Sequence, residues 1–281
     1  MPTDLRAVAF SDVLGFADLT ENNPIDIDRL NLLAGPVGEN VWAQIEAAKS
    51  DPLAATFVRF HQGVKFAIDL ATIQHRVTSI TFSDSVFFAT AYLHEAVEMA
   101  INLVRHSLWQ RVPIRVGIAF GTFAVLGFDS RTAGSATANS AQFLGTGVVR
   151  AHLAESCGLK GCRIFLHPTA ADLVVKPPHN PHDVVRILSC PEDPADNKAR
   201  VSTEVNYWPD APTEEKRLWQ SLQDMWQRCP PGARQQYHAT ATAINRMRIA
   251  LGEAPMDTLR RRTLPKRIRP RSNSGPPQLR P

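Results

Sequence analysis

LRAVAFSDVLGFADL, residues 5–19, decides the fold reading. Its first seven residues form a short apolar run consistent with a buried strand, and the run ends on Ser11-Asp12. Val13 and Leu14 follow, and then Gly15-Phe16, where a glycine permits a tight turn. Two chemistries suit a carboxylate between strand and turn. Asp12 either caps the next helix through its backbone N–H groups or holds a metal ion.

Outward from this stretch the pattern alternates between helical and strand periods. Helical segments are expected around 24–50 and 53–70, the second from Leu53, Phe57, Phe60, Val64 and Ile68 at helical spacing. RVTSITF (76–82) and VFFAT (86–90) flank Ser83-Asp84-Ser85 and predict a β-hairpin with Asp84 at its turn. Residues 92–109 place Leu93, Ala96, Val97, Ala100, Ile101, Val104 and Leu108 on one helical face. PIRVGIAFGTFAVLG (113–127) reads as a strand pair around Gly121, and FDSRTAGSATANSAQF (128–143) as a mobile arm. GTGVVRAHLAESCG (145–158) is a glycine-led helix, and CRIFLHP (162–168) a strand ending in proline. The order predicts an α+β fold, a ferredoxin-like or palm-type mixed sheet with helices packed on one face.

The last third is helical: Leu218, Leu222 and Trp226 are spaced by four, and a second helix is expected over 232–251. The expected organisation is a catalytic domain over 1–190, a helical C-terminal appendage over 191–258 and a basic tail over 259–281. From Arg260 onward the chain has seven Arg, one Lys and no acid; subtracting those eight from 31 leaves 23 basic residues against 27 acidic ones. The body is mildly acidic, and the net charge of +4 belongs to the tail. Such a tail cannot bury enough apolar surface to fold, and solvates the chain or touches an acidic partner. Cys157, Cys162, Cys190 and Cys229 are too sparse for a disulfide framework and read as free thiols. His179 and His182 lie in a proline-rich loop that gives a metal no fixed geometry. The longest apolar runs are too short to cross a bilayer, and MPTDLRAVAF lacks the features of a signal peptide, so a cytoplasmic location is expected.

Neighbouring strands lie about 4.8 Å apart, so if the strands of Asp12 and Asp84 pair, their carboxylates converge on one edge of the sheet. Acids so close favour a shared proton or bound divalent cations. The Gly15-Phe16 turn offers successive backbone N–H groups as a phosphate cradle, although the chain has neither GxxxxGK[ST] nor a GxGxxG fingerprint. Arg115, at the head of a central strand, needs an anionic partner, and a phosphate would serve.

FSDVLGF, ITFSDSVFFAT, IRVGIAFG and GTGVVRAHLAE together resemble, in order and spacing, the catalytic core of class III nucleotidyl cyclases over about residues 5–170. The resemblance implies that Asp12 and Asp84 bind two divalent cations, Mn²⁺ or Mg²⁺, and that Val13 adds its carbonyl. It makes Gly15 and Phe16 the triphosphate turn and Arg115 a phosphate-binding arginine. Departures fall where such enzymes read a purine and stabilise the transition state. Ile80 stands where a purine-reading Lys or Glu is expected, and Gln142 where an Asp or Thr is expected. Val149 and Leu153 replace an Asn and an Arg, leaving Arg150, one position out of step, as the cation of that helix.

An intact metal site beside a dismantled purine pocket is similar to the pyrimidine cyclases of bacterial antiphage signalling, the Pycsar cyclases. That resemblance implies conversion of UTP to cyclic UMP and pyrophosphate by a homodimer with composite sites, the product activating a separate effector. Gln142 and Arg150 would donate to the two uracil carbonyls. A cytidylate or purine cyclase, a catalytically dead cyclase-like binding module, and nucleic-acid binding through the tail stand as alternatives.

Overall fold

The computed structural model describes residues 4–23, 51–71, 77–131, 137–176, 179, 187–192 and 197–259; between 126 and 142 only backbone is described. The expected helix over 24–50, His182 and the basic tail from 260 lie outside the described residues. Nine strands are described: β1 (Leu5–Val13), β2 (Thr78–Thr81), β3 (Ser85–Thr90), β4 (Ile114–Thr122), β5 (Ala124–Arg131), β6 (Thr137–Leu144), β7 (Ile164–Leu166), β8 (Ile187–Ser189) and β9 (Thr203–Val205). The helices are α1 (Phe16–Asn22), α2 (Pro52–Leu70), α3 (Leu93–Trp109), α4 (Thr146–Glu155), α5 (Pro168–Ala171), α6 (Pro212–Arg228) and α7 (Arg234–Ala250).

The fold is α+β. A seven-stranded mixed sheet runs β2-β3-β1-β4-β7-β9-β8, with β4 and β7 parallel and the other pairs antiparallel. β1 is central because its residues are apolar on both faces: Ala7, Ala9 and Val13 enter the main core, while Val8 and Phe10 enter a second cluster with Phe87, Ala89, Ala119 and Ala151. Local signals start the helices that cover it. Asp51 accepts from the N–H groups of Leu53 (2.9 Å) and Ala54 (3.1 Å), capping α2, and Pro52 fits the first turn. The stripe of α3 is buried as its spacing predicts.

Helices cover both faces, which corrects the expectation of one. α2, α3, α6 and α7 share the main core, whereas α4 lies on the opposite face against β4 and β1. Glycine makes that second seat. A Cβ on Gly117 of β4 would stand 2.2 Å from the Ala151 carbonyl oxygen and 2.3 Å from the Glu155 nitrogen, so the helix touches the strand backbone.

Two further expectations change. Residues 113–127 do not pair around Gly121: β4 pairs with β1 and β7, while β5 pairs with β6 in a separate two-stranded ladder. Gly121 instead admits α4, since its Cβ would lie 2.6 Å from the Gly147 nitrogen. That same β5–β6 ladder replaces the arm expected over 128–143. Beyond residue 190, β9 joins the sheet and Leu218, Leu222, Trp226, Ile244 and Met247 join the main core. All four cysteines are free thiols. Among the described residues no helix is long and apolar enough to cross a membrane.

Candidate active site

Asp12 does not cap a helix. β1 continues through Val13, the Leu14 N–H donates to the Pro113 carbonyl (2.8 Å), and the residue preceding α1 is Gly15 in the left-handed region at φ 77°. Asp12 is in register with Ser85 of β3 on one side and Arg115 of β4 on the other. Directly opposed residues share a face, so Asp12 and Arg115 project from the α4 side of the sheet.

Asp84 occupies the expected hairpin turn: the Phe82 N–H donates to the Ser85 carbonyl (2.8 Å), and the Asp84 carbonyl accepts from Val13 (2.9 Å). That last bond ties the turn to the end of β1 and brings the two acids to one sheet edge. Ser83 Oγ donates to Asp84 Oδ1 at 3.1 Å.

Electrostatics at this edge are unbalanced. Burial, then Glu155, then Asp84 push the Asp12 carboxyl up from 3.8 to about 7, against the opposing pull of Arg115 and the Val13 N–H. Glu155 is an addition that sequence reasoning missed. It ends α4, 5% exposed, and its Oε1 accepts from Arg115 Nε at 2.7 Å with Nη2 at 2.6 Å. Arg115 Nη1 donates to the Leu159 carbonyl at 3.0 Å. The anion facing Arg115 is therefore internal. A signal for this existed: an acid in the last turn of a helix opposes the helix dipole, so it needs a cation, and Gly117 marks where α4 meets the strand.

Oxygen donors with surplus negative charge suit a divalent cation. Among the described residues no group of three or more metal-binding side chains is assembled. An ion bound by Asp12 and Asp84 would complete its shell from backbone carbonyl, water and phosphate oxygens, as hard cations do at phosphate sites. Val13 buries its side chain in the main core. Gly15 is exposed with open space where a Cβ would stand, and Phe16 packs partly on the core. The first-turn N–H groups of α1 have no intrahelical acceptor.

The remaining candidates lie elsewhere. Arg150 Nη1 donates to the Phe120 carbonyl at 3.2 Å. Phe120 is opposite Ala7, whereas Arg115 is opposite Asp12. Those five positions correspond to roughly 17 Å along the strand. One chain thus keeps Arg150 away from its own Asp12 and Asp84. Val149 and Leu153 are 60% and 36% exposed on α4. Ile80 is half-buried against the cluster of Phe10 and Phe87, whose rings stand 4.4 Å apart. Gln142 is opposite Leu126 in the β5–β6 ladder, and its side chain lies outside the described residues. His179 contacts the rings of Phe120 (4.9 Å) and Tyr92 (5.7 Å).

No protein-family profile and no curated protein sequence matches the chain. Solved structures similar to it include the guanylyl cyclase Cya2, at 14% identity and a TM-score of 0.40, covering 72% of this chain and 89% of that one. Adenylate cyclases from Trypanosoma brucei in their monomeric state are similar at 14% identity and a TM-score of 0.42, with 75% and 91% covered. A non-canonical dimeric guanylyl cyclase domain of the RhoGC fusion protein from the aquatic fungus Blastocladiella emersonii gives 14% and 0.40, with 61% and 83% covered.

Proposed function

We propose that the protein is a metal-dependent nucleotide cyclase that converts UTP to cyclic UMP and pyrophosphate. The observation that carries the reading is the sheet edge to which Asp12 and Asp84 are brought, with the Asp12 carboxyl held up near 7 by burial, Glu155 and Asp84. Such an edge is relieved by bound divalent cations, and a nucleoside triphosphate with Mg²⁺ or Mn²⁺ supplies them. When bound, the cations lower the pKa of the ribose 3′-hydroxyl and neutralise the departing pyrophosphate. The 3′-oxygen forms a bond to the α-phosphorus, the bond from that phosphorus to the bridging oxygen of pyrophosphate breaks, and the hydroxyl proton leaves to solvent.

The chain's own residues divide this work. Asp12 and Asp84 hold the cations and orient the α-phosphate for in-line attack. The first-turn N–H groups after Gly15 and the Arg115 guanidinium meet the triphosphate tail. Arg150 acts on a site other than the one its own chain builds with Asp12 and Asp84, so a second copy supplies it, and the enzyme is a homodimer with composite sites. Ile80, apolar and packed, favours a base other than a purine, and Gln142 reads uracil. By resemblance the product is an antiphage second messenger that acts on a separate effector in the cytoplasm.

An equimolar mixture of the four ribonucleoside triphosphates with Mn²⁺, followed by mass identification of the product, tests this. Cyclic UMP is expected, lost in Asp12→Ala and Asp84→Ala. Product that survives both substitutions refutes the site, and a purine or cytidine product refutes the base assignment. Exposed Val149 and Leu153 favour one other reading, a nucleotide-binding module without turnover, which metal-dependent UTP binding with no product would establish.

A further inference from the structure

We propose that Glu155 is a positioning residue that aims Arg115 at the triphosphate. The inference rests on reading the Asp12 edge as a triphosphate site, and its geometry begins with the five N–H donors of a guanidinium. Glu155 Oε1 takes the edge formed by Nε (2.7 Å) and Nη2 (2.6 Å), and the Leu159 carbonyl takes one Nη1 hydrogen at 3.0 Å. One N–H on Nη1 and one on Nη2 have no acceptor among the described residues. Held on two sides, the guanidinium keeps these N–H groups to offer to phosphate oxygens. The arginine is 15% exposed, and its strand position is directly opposite Asp12.

Glu155 is itself fixed. It belongs to the α4 turn whose backbone nitrogen would stand 2.3 Å from a Cβ on Gly117, so its backbone cannot shift without lifting the helix, and the carboxylate is 5% exposed. A flexible arginine would lose rotamer freedom on meeting a phosphate; one held on two sides has already lost it. Leu159 adds the second hold from the loop after α4, so helix and loop together set the direction of the guanidinium.

Coulomb attraction and positioning predict opposite signs, and this makes the proposal testable. Removing a negative charge beside an anion site strengthens anion binding if charge alone matters. If Glu155 aims Arg115, its removal weakens binding. The probe is inorganic tripolyphosphate with Mn²⁺, which has no base and cannot be cyclised, measured by calorimetry on the full chain. Glu155→Gln is expected to bind it about tenfold more weakly than wild type, and Arg115→Ala at least as weakly. Glu155→Asp, with the charge kept on a shorter stem, recovers part of the loss. With UTP the same variants raise KM more than they lower kcat.

Arg115→Met combined with Glu155→Leu removes both charges and replaces them with apolar side chains of similar size, which keeps a folded protein to measure if a single variant unfolds. That double variant is expected to melt near wild type and to lose the same factor in tripolyphosphate affinity. Unchanged or tighter binding in Glu155→Gln, or wild-type affinity in the double variant, overturns the proposal, as does a wild type that binds no tripolyphosphate. A wild type that binds it with the expected pattern yet cyclises no nucleotide refutes the cyclase reading alone.

Discussion

Gly117→Ala tests the contact on which the whole α4 side of the sheet depends. The added methyl would stand 2.2 Å from the Ala151 carbonyl oxygen and 2.3 Å from the Glu155 nitrogen, with the Ala154 carbonyl carbon at 3.0 Å. These are backbone atoms of a helix and cannot rotate aside. Ordinary carbon–oxygen contact needs about 1 Å more, so α4 must lift by about that distance along its whole seat. The lift opens the buried cluster that Ala151 shares with Val8, Phe10 and Ala119 and draws Glu155 away from Arg115. Overpacking costs about 1–3 kcal/mol where side chains yield, and a backbone obstacle puts this substitution at about 3 kcal/mol or above. Urea unfolding of wild type and variant measures it, with Gly63→Ala as the control. In that control the new methyl on α2 meets side chains of α3 at 3.3–3.4 Å, and the gain in helix propensity, about 1 kcal/mol, offsets the squeeze. A Gly117→Ala protein within about 1 kcal/mol of wild type refutes the direct seating of α4 on β4, and with it the geometry that joins Glu155 to Arg115.

Other outcomes follow from the same structure. Because the Asp12 carboxyl is raised from 3.8 to about 7, the folded chain binds a proton that the unfolded chain has lost across that interval. In metal-free protein the stability that Asp12 contributes is therefore lost as pH rises from about 4 through 7, by about 2 kcal/mol after allowance for solvent screening, and the difference between wild type and Asp12→Asn measures it. Urea unfolding in a chelator at several pH values checks this, and wild-type stability that rises relative to the variant over the interval refutes it. Arg163→Met leaves the fully buried Glu204 with Arg246 alone, at 2.8 Å, and is expected to cost about 3 kcal/mol in the same assay. Gly15→Ala meets open space and costs only the left-handed backbone, about 1 kcal/mol, with Gly15→Asn costing less; a loss several times larger would reveal a contact at the turn.

Much of the fold was legible because burial writes directly into sequence. β1 is covered on both faces and reads as an unbroken apolar run, and α3 buries one stripe and reads at a period of 3.6. The hairpin around Asp84 was legible from two β-rich runs and a polar link. Gly121 misled because a glycine inside a strand pattern signals a turn as readily as a close approach, and only the third dimension distinguishes them. Residues 128–143 misled for another reason. Their small and polar side chains predict no core, yet β5 and β6 pair through their backbones outside the main sheet, and such pairing leaves little trace in hydrophobicity.

The candidate site was legible where chemistry is local and hidden where it depends on a helix seat. Asp12, Gly15 and Asp84 follow strands and turns that sequence defines, so their convergence could be anticipated. Arg115 was correctly seen to need an anion, but its internal partner sits 40 residues away at the end of α4 and is reached only because Gly117, Gly147 and Ala151 let that helix touch the sheet. The same seat decides Arg150. A helix fixed over β4 by glycines cannot rotate to bring its cation back to Asp12, so Arg150 stays at the Phe120 end, roughly 17 Å along the strand from the acids. Under the cyclase reading, a chain that keeps two repelling acids at one edge and Arg150 at the other is incomplete as a single copy. Activity that rises with the square of protein concentration below the dimer dissociation constant follows from that geometry, and a strictly linear dependence at every concentration would refute the composite site.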